Sequence, residues 1–149
     1  MQQPVAVWLE IFRDRHPGVR AHTALYGSGL AASGLADSSI DVAPMARRLA
    51  SGERALIPDG RIPAAIHVGG RRTDGASASP VYLYIALGAD GRAEPEAIEF
   101  ARIAVSAEGQ SRVPDGDFQA LSGEQREDAR SHIAQLQPMA RTTETMEER

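Results

Sequence analysis

The segment that most constrains the fold is Val81-Tyr82-Leu83-Tyr84-Ile85-Ala86-Leu87. Its β-branched and aromatic residues suit a strand. It lacks the in–out alternation of a strand with one wet face, so both of its faces have to be covered by other parts of the chain. That demand makes it the centre of a sheet and calls for at least two further layers. A chain of 149 residues can supply them within one domain.

The rest of the chain supplies candidate partners. Val5, Val7, Trp8, Leu9, Ile11 and Phe12 recur at helical spacing, so 3–16 reads as a helix that Pro17-Gly18 ends. Val19, Ala21, Thr23 and Leu25 alternate along a strand over 19–26, and Gly27-Ser28-Gly29 turns the chain into a short Ala- and Leu-rich helix over 30–36. Strands are expected at 40–45 and 64–68, with a helical turn within 46–53. The stretch 69–79 is polar and glycine-rich and reads as a loop. Pro95 opens a helix to Ser106 that 107–112 extends, and Phe118 to Leu121 is short and extended. Ser122 with Gln125 forms a capping-box pattern for a last helix to about Leu136. Strands and helices alternate, which predicts an α/β fold: an open, mostly parallel sheet with helices on both faces. We expect one domain over 1–137 and a polar, mobile tail over 138–149.

Composition narrows the function. A formal net charge of −4, with no basic stripe interleaved with aromatics, argues against nucleic acid as a partner. The absence of cysteine excludes disulfides, thiol catalysis and thiolate metal sites. No apolar run has the length of a membrane span, and Met1-Gln2-Gln3-Pro4 does not open a signal peptide. His16, His22, His67 and His132 lack metal-ligand spacing, and the histidines read as ordinary surface or core residues. Ser28 has no base assigned to it, so no catalytic residue is expected and the chain reads as a non-enzyme without a cofactor. Tyr82 and Tyr84 read as a packing pair on one face of their strand, and Glu94, Glu96 and Glu99 as the wet first turns of a helix.

The Gly27-Ser28-Gly29 turn has two readings. As an anion cradle, Gly29 lets a ligand approach the backbone, and the Gly29, Leu30 and Ala31 amides and the Ser28 hydroxyl donate to it. As a plain turn, it only joins a strand to a helix. It is neither a dinucleotide fingerprint nor a P-loop. Downstream, Asp41-Val42-Ala43-Pro44-Met45-Ala46-Arg47-Arg48-Leu49 ends a strand with two guanidinium groups. Either could lean over the turn, or both could line a solvated helix face.

Taken in order, these blocks resemble the phosphate-binding proteins of ABC-type phosphate uptake, a family of periplasmic solute-binding proteins. The blocks are Trp8 and Phe12, Pro17-Gly18-Val19, Tyr26-Gly27-Ser28-Gly29, Gly34, Asp41-Val42-Ala43 with Arg47 and Leu49, Pro80-Val81-Tyr82-Leu83-Tyr84-Ile85, Ser106-Ala107-Glu108-Gly109-Gln110, and Gly116-Asp117-Phe118 with Leu121. The resemblance implies a lobe of a type II periplasmic binding fold, extracytoplasmic location, phosphate or a related oxyanion as ligand, and an ABC permease as partner. It implies Gly27, Ser28, Gly29, Leu30 and Arg47 as the binding residues. The chain departs from the family in four places. Only 32 residues separate Arg47 from Pro80, where the family threads a whole second lobe. The chain opens directly at the first helix, where the family has a strand and a Gly-Ser-Thr loop before it. Ala46 replaces a serine, and Ser79 replaces an arginine. A dehydrated oxyanion needs many convergent donors, so a single lobe is expected to bind weakly. The alternative is an interaction or sensor module that keeps the lobe without a ligand. A lobe lacking one strand has an open sheet edge, which a second copy could cover as a homodimer.

Overall fold

The computed structural model describes residues 2–18, 34–35, 40–45, 48–55, 57, 63–72, 78–88, 90–114 and 116–138. Helix α1 spans Gln2–Arg15, and its Trp8, Leu9, Ile11 and Phe12 are buried as the spacing predicts. The strands are β1 (Val42–Met45), β2 (Ala64–Arg71), β3 (Ser79–Ile85) and β4 (Phe118–Gln119). Between and after them lie α2 (Ser51–Arg54), α3 (Pro95–Val105), α4 (Ala107–Ser111) and α5 (Gly123–Ala134). The expected strand over 19–26 lies outside the described residues, as does most of the helix expected over 30–36.

The sheet order is β1-β3-β2-β4, and every neighbouring pair is antiparallel. This corrects the expectation of an open, mostly parallel sheet and, with it, of a lobe of a type II periplasmic binding fold. The physical reason is connection length. Only the residues from Arg72 to Ala78 join β2 to β3, and a parallel crossover takes about a dozen residues or more. So short a link forces a hairpin. The glycine-rich stretch read as a loop is accordingly shorter than expected, because Gly69 to Arg71 and Ser79 belong to the two hairpin strands. Since β1 and β2 both run against β3, they point the same way and end at the same end of the sheet.

Strand β3 does lie between neighbours and is buried on both faces. Val81, Leu83 and Ile85 enter a large cluster with Trp8 and Phe12 of α1, Ile98 and Ile103 of α3, and Ile133 of α5. Tyr82 and Tyr84 face the other way, into a smaller cluster with Leu35, Ala43, Met45, Leu49 and Ile57. The three long helices thus share one cluster. Among the described residues, Leu35, Leu49 and Ile57 cover the opposite face.

A bulge between His67 and Gly69 shifts the β2 register and leaves Val68 without a partner on β3. Its carbonyl oxygen instead accepts a hydrogen bond from the buried Gln110 side chain, at 2.9 Å. A Cβ on Gly69 would strike the Phe118 ring, which packs edge-on to Trp8 at 6.0 Å between centroids.

The helix expected to continue through Ser106 is in fact broken there. The Ser106 hydroxyl donates to the Ile103 carbonyl at 2.7 Å and accepts from the Gly109 amide at 3.0 Å, ending α3 and capping α4. A Cβ on Gly109 would collide with the Ile103 carbonyl oxygen, so the joint closes only around glycine. The Trp8 indole N–H donates to the Gly109 carbonyl at 2.9 Å and locks α1 onto this joint. Ser122 and Gln125 form the expected capping box on α5. Pro138, assigned to the tail by sequence, forms a parallel bridge with Ala93. Residues 139–149 lie outside the described residues.

Candidate functional site

Gly27, Ser28, Gly29, Leu30 and Arg47 all lie outside the described residues. Their described neighbours delimit the region. Strand β1 ends at Met45, and the chain resumes at Arg48 and Leu49, where two contacts fasten it to β3. The Leu49 backbone N–H donates to the Tyr84 hydroxyl at 3.0 Å in a buried hydrogen bond. The Arg48 guanidinium carbon lies 4.7 Å from the centre of the Tyr82 ring, a cation–π geometry. The Ala50 N–H donates to the Glu53 carboxylate at 2.8 Å and opens α2. On the other side of the region, Gly34 and Leu35 are helical, and the Ile40 N–H donates to the Gly34 carbonyl at 3.1 Å. Leu35 is buried in the same cluster as Met45 and Tyr84. The flanks of both predicted binding segments therefore meet on one face of the sheet.

Antiparallel register explains the aromatic arrangement. Met45 of β1, Tyr82 of β3 and His67 of β2 lie opposite one another in a single row across three strands. Residues opposite one another share a face, so His67 packs on Tyr82 with ring centroids 5.7 Å apart. Tyr82 in turn packs on Tyr84 at 6.3 Å, as expected for a pair two residues apart on one face. A guanidinium, a phenol and an imidazole thus meet beside the exit of β1. Sequence reading named Arg48 and Tyr82 but treated His67 as ordinary. The strand pairing that joins them was the missing signal.

At the opposite end of β1, partial desolvation and then the neighbouring Glu96 carboxylate hold the Asp41 carboxyl above its ordinary value of 3.8. A separate cleft of about 440 Å³ is lined by Arg72, Gln110, Ser111, Phe118 and Gln119, among others. Its Gln110 and Arg72 side chains and backbone are engaged within the protein. The Gln110 amide bonds Val68, Ala104 and Leu121, and Arg72 donates to the Asp117 carbonyl at 2.7 Å and to the Gln119 side chain at 3.4 Å. Among the described residues, no group of three or more His, Asp or Glu side chains is placed to hold a metal ion. Nor is any helix among them long and apolar enough to cross a membrane.

The motif Ser106 to Gln110, one of the blocks behind the family resemblance, serves the packing of α3, α4 and the β2 bulge. Each of its described polar contacts is internal to the protein. Set against protein-family models, curated proteins and solved structures, the chain matches none of them.

Proposed function

We propose that the chain is a non-catalytic binding domain that takes phosphate or a related oxyanion weakly beside the exit of β1. The observation that carries this reading is the clamp on that exit. Tyr84 holds the Leu49 amide and Tyr82 carries the Arg48 guanidinium, so the basic stretch is anchored at a fixed place on the sheet. A guanidinium offers a planar fork of donors to an oxyanion. The tether to the glycine turn supports the same reading. Gly29 lies five residues before the packed Gly34, and such a link spans at most about 18 Å. Gly27, Ser28, Gly29, Leu30 and Arg47 are then the further donors. By the family resemblance, the biological partner would be an ABC permease outside the cytoplasm.

Isothermal titration with phosphate, sulfate and molybdate tests this. Weak heats that fall with Ser28→Ala and Arg47→Ala support it. The absence of heat with every oxyanion rejects it.

A second reading, self-assembly through the β1 edge, rests on a different observation. The Ala86 N–H donates to the Asp41 carbonyl at 2.9 Å. Antiparallel alternation then turns the backbone groups of Ala43 and Met45 toward β3 and those of Val42 and Pro44 outward. Proline has no N–H, so this outward edge offers a single donor over the strand. Strand addition there would be short, and the homodimer is the weaker proposal. A concentration-independent monomer by light scattering removes it.

A further inference from the structure

We infer that the cleft between the 110–114 segment and β4 is a second binding site, which takes a small organic carboxylate with an apolar body. It is separate from the oxyanion site proposed above, because β4 and β1 are the opposite edges of the sheet. The cleft is braced by the protein itself. The Gln110 side chain joins its two walls by accepting from the Leu121 N–H at 2.7 Å, and fixes them to the sheet through the Val68 carbonyl at 2.9 Å. The Arg72 N–H donates to the Asp117 carbonyl at 2.7 Å and pins the β4 wall to the hairpin. Phe118, which lines the cleft, packs edge-on to Trp8. These bonds hold open a cavity of about 440 Å³, a size that suits a small molecule.

Arg72 and Gln119 both line the cleft, and the Arg72 Nε donates to the Gln119 side-chain oxygen at 3.4 Å. That contact uses the Gln119 oxygen and leaves its amide N–H groups beside the two terminal nitrogens of the guanidinium. Among the described residues, Arg72 has no ion pair, and neither those nitrogens nor the Gln119 amide nitrogen has a hydrogen bond. The nearby Glu108 carboxylate is held by Arg15 and Arg112, and Asp117 is not among the lining residues. A guanidinium and an amide side by side match the two oxygens of a carboxylate. The remaining lining includes Val113, Pro114, Phe118 and Ala120. A bare inorganic anion would lose water against these groups and find no donor there, whereas a hydrocarbon body gains by leaving water. The edge of β4 decides against a peptide. Asp117 turns its carbonyl toward β2, so by alternation Phe118 alone in β4 turns its backbone groups outward. One residue is too little for an added strand.

Benzoate is the probe, with benzamide and acetate as controls. In proton–nitrogen correlation spectra of the full chain, benzoate is expected to shift the amides of Gly116, Phe118, Gln119 and Ala120, and the Gln119 side-chain amide. The shifts saturate with a dissociation constant on the order of 1 mM. Benzamide has the ring without the charge, and acetate the charge without the ring. Each should bind roughly fivefold more weakly or worse. Arg72→Gln should weaken benzoate by a similar factor, roughly fivefold, while the far-UV circular dichroism and Trp8 fluorescence stay those of the parent. No saturable shift up to about 50 mM benzoate overturns the inference, as do saturable shifts confined to residues outside the cleft. Benzamide or acetate binding as tightly as benzoate overturns it on the parent protein alone, whatever becomes of the variant. Unchanged benzoate affinity in a folded Arg72→Gln does the same. All of these outcomes leave the oxyanion reading at β1 standing.

Discussion

Gln110 shows how much a single buried polar side chain can hold. It is 6% exposed. Its amide nitrogen donates to Val68 and Ala104, at 2.9 and 2.7 Å, and its oxygen accepts from the Leu121 N–H at 2.7 Å. Each of these three backbone groups has a reason to be orphaned. Val68 sits at the bulge, Ala104 is in the last turn of α3, and Leu121 lies in the link to α5. Gln110→Leu keeps much of the volume and removes all three bonds. We expect it to cost roughly 2–4 kcal/mol, because buried backbone groups are left unpaired, read as a lower midpoint in urea. A loss below about 1 kcal/mol would mean that water replaces the side chain. Asp41 gives a prediction of opposite sign. Partial desolvation first, and Glu96 second, raise its carboxyl above 3.8. The folded protein therefore binds this proton more tightly than the unfolded chain does, and the ionised group works against folding. That penalty is present above the folded value and is relieved as the pH falls from there toward 3.8. Asp41→Asn should then raise the melting temperature slightly at neutral pH, and the gain should shrink on acidification through that window. A variant less stable than the parent at pH 7 contradicts this account.

The elements that sequence reading identified are those whose signals are local. The apolar stripe of α1 is complete within 14 residues. The cap of α5 is a four-residue pattern, and its geometry is reciprocal: the Ser122 hydroxyl accepts from the Gln125 N–H at 3.1 Å, and the Gln125 side chain accepts from the Ser122 N–H at 2.9 Å. Ser122→Ala should destabilise the protein by about 1 kcal/mol, measured by chemical denaturation. A smaller effect would be expected only if α5 frays freely, yet Ala129 and Ile133 are buried in the main cluster. What the local signals did not carry was strand direction. An apolar strand buried on both faces is compatible with either direction, and the alternation of helices and strands along the chain points to a parallel one. The discriminating fact was also in the sequence, in the short hairpin link that ends at Ala78. Likewise, Ser106 looked like one more residue of a continuing helix. Only the close approach of Gly109 to the Ile103 carbonyl shows why the chain must break there. His67 joined the candidate site for the same reason: its neighbours are set by register, and register depends on partners far away in sequence.

At the scale of the whole molecule, the two apolar clusters are opposite sides of one strand. Val81, Leu83 and Ile85 belong to the helix-covered cluster, and Tyr82 and Tyr84 to the smaller one. Pulling β3 out of either cluster reverses the environment of every alternate side chain, so neither can melt while the other keeps its strand. The two clusters also carry separate spectroscopic reporters. The only tryptophan in the chain, Trp8, is fully buried in the large cluster. Two of its three tyrosines, Tyr82 and Tyr84, are in the small one. Tryptophan fluorescence, near-ultraviolet dichroism of the tyrosines and far-ultraviolet dichroism should therefore trace one urea transition with a common midpoint. A tyrosine signal lost at lower urea than the tryptophan signal would show that the small cluster opens by itself. The consequence for function would be direct. Tyr82 and Tyr84 help fasten Arg48 and Leu49 to the sheet. If that face opened on its own, the proposed anion site would exist in only part of the folded population, and its apparent affinity would fall by that fraction. Coincident transitions instead make the site as persistent as the fold. In that case, adding sulfate should shift all three curves to higher urea together.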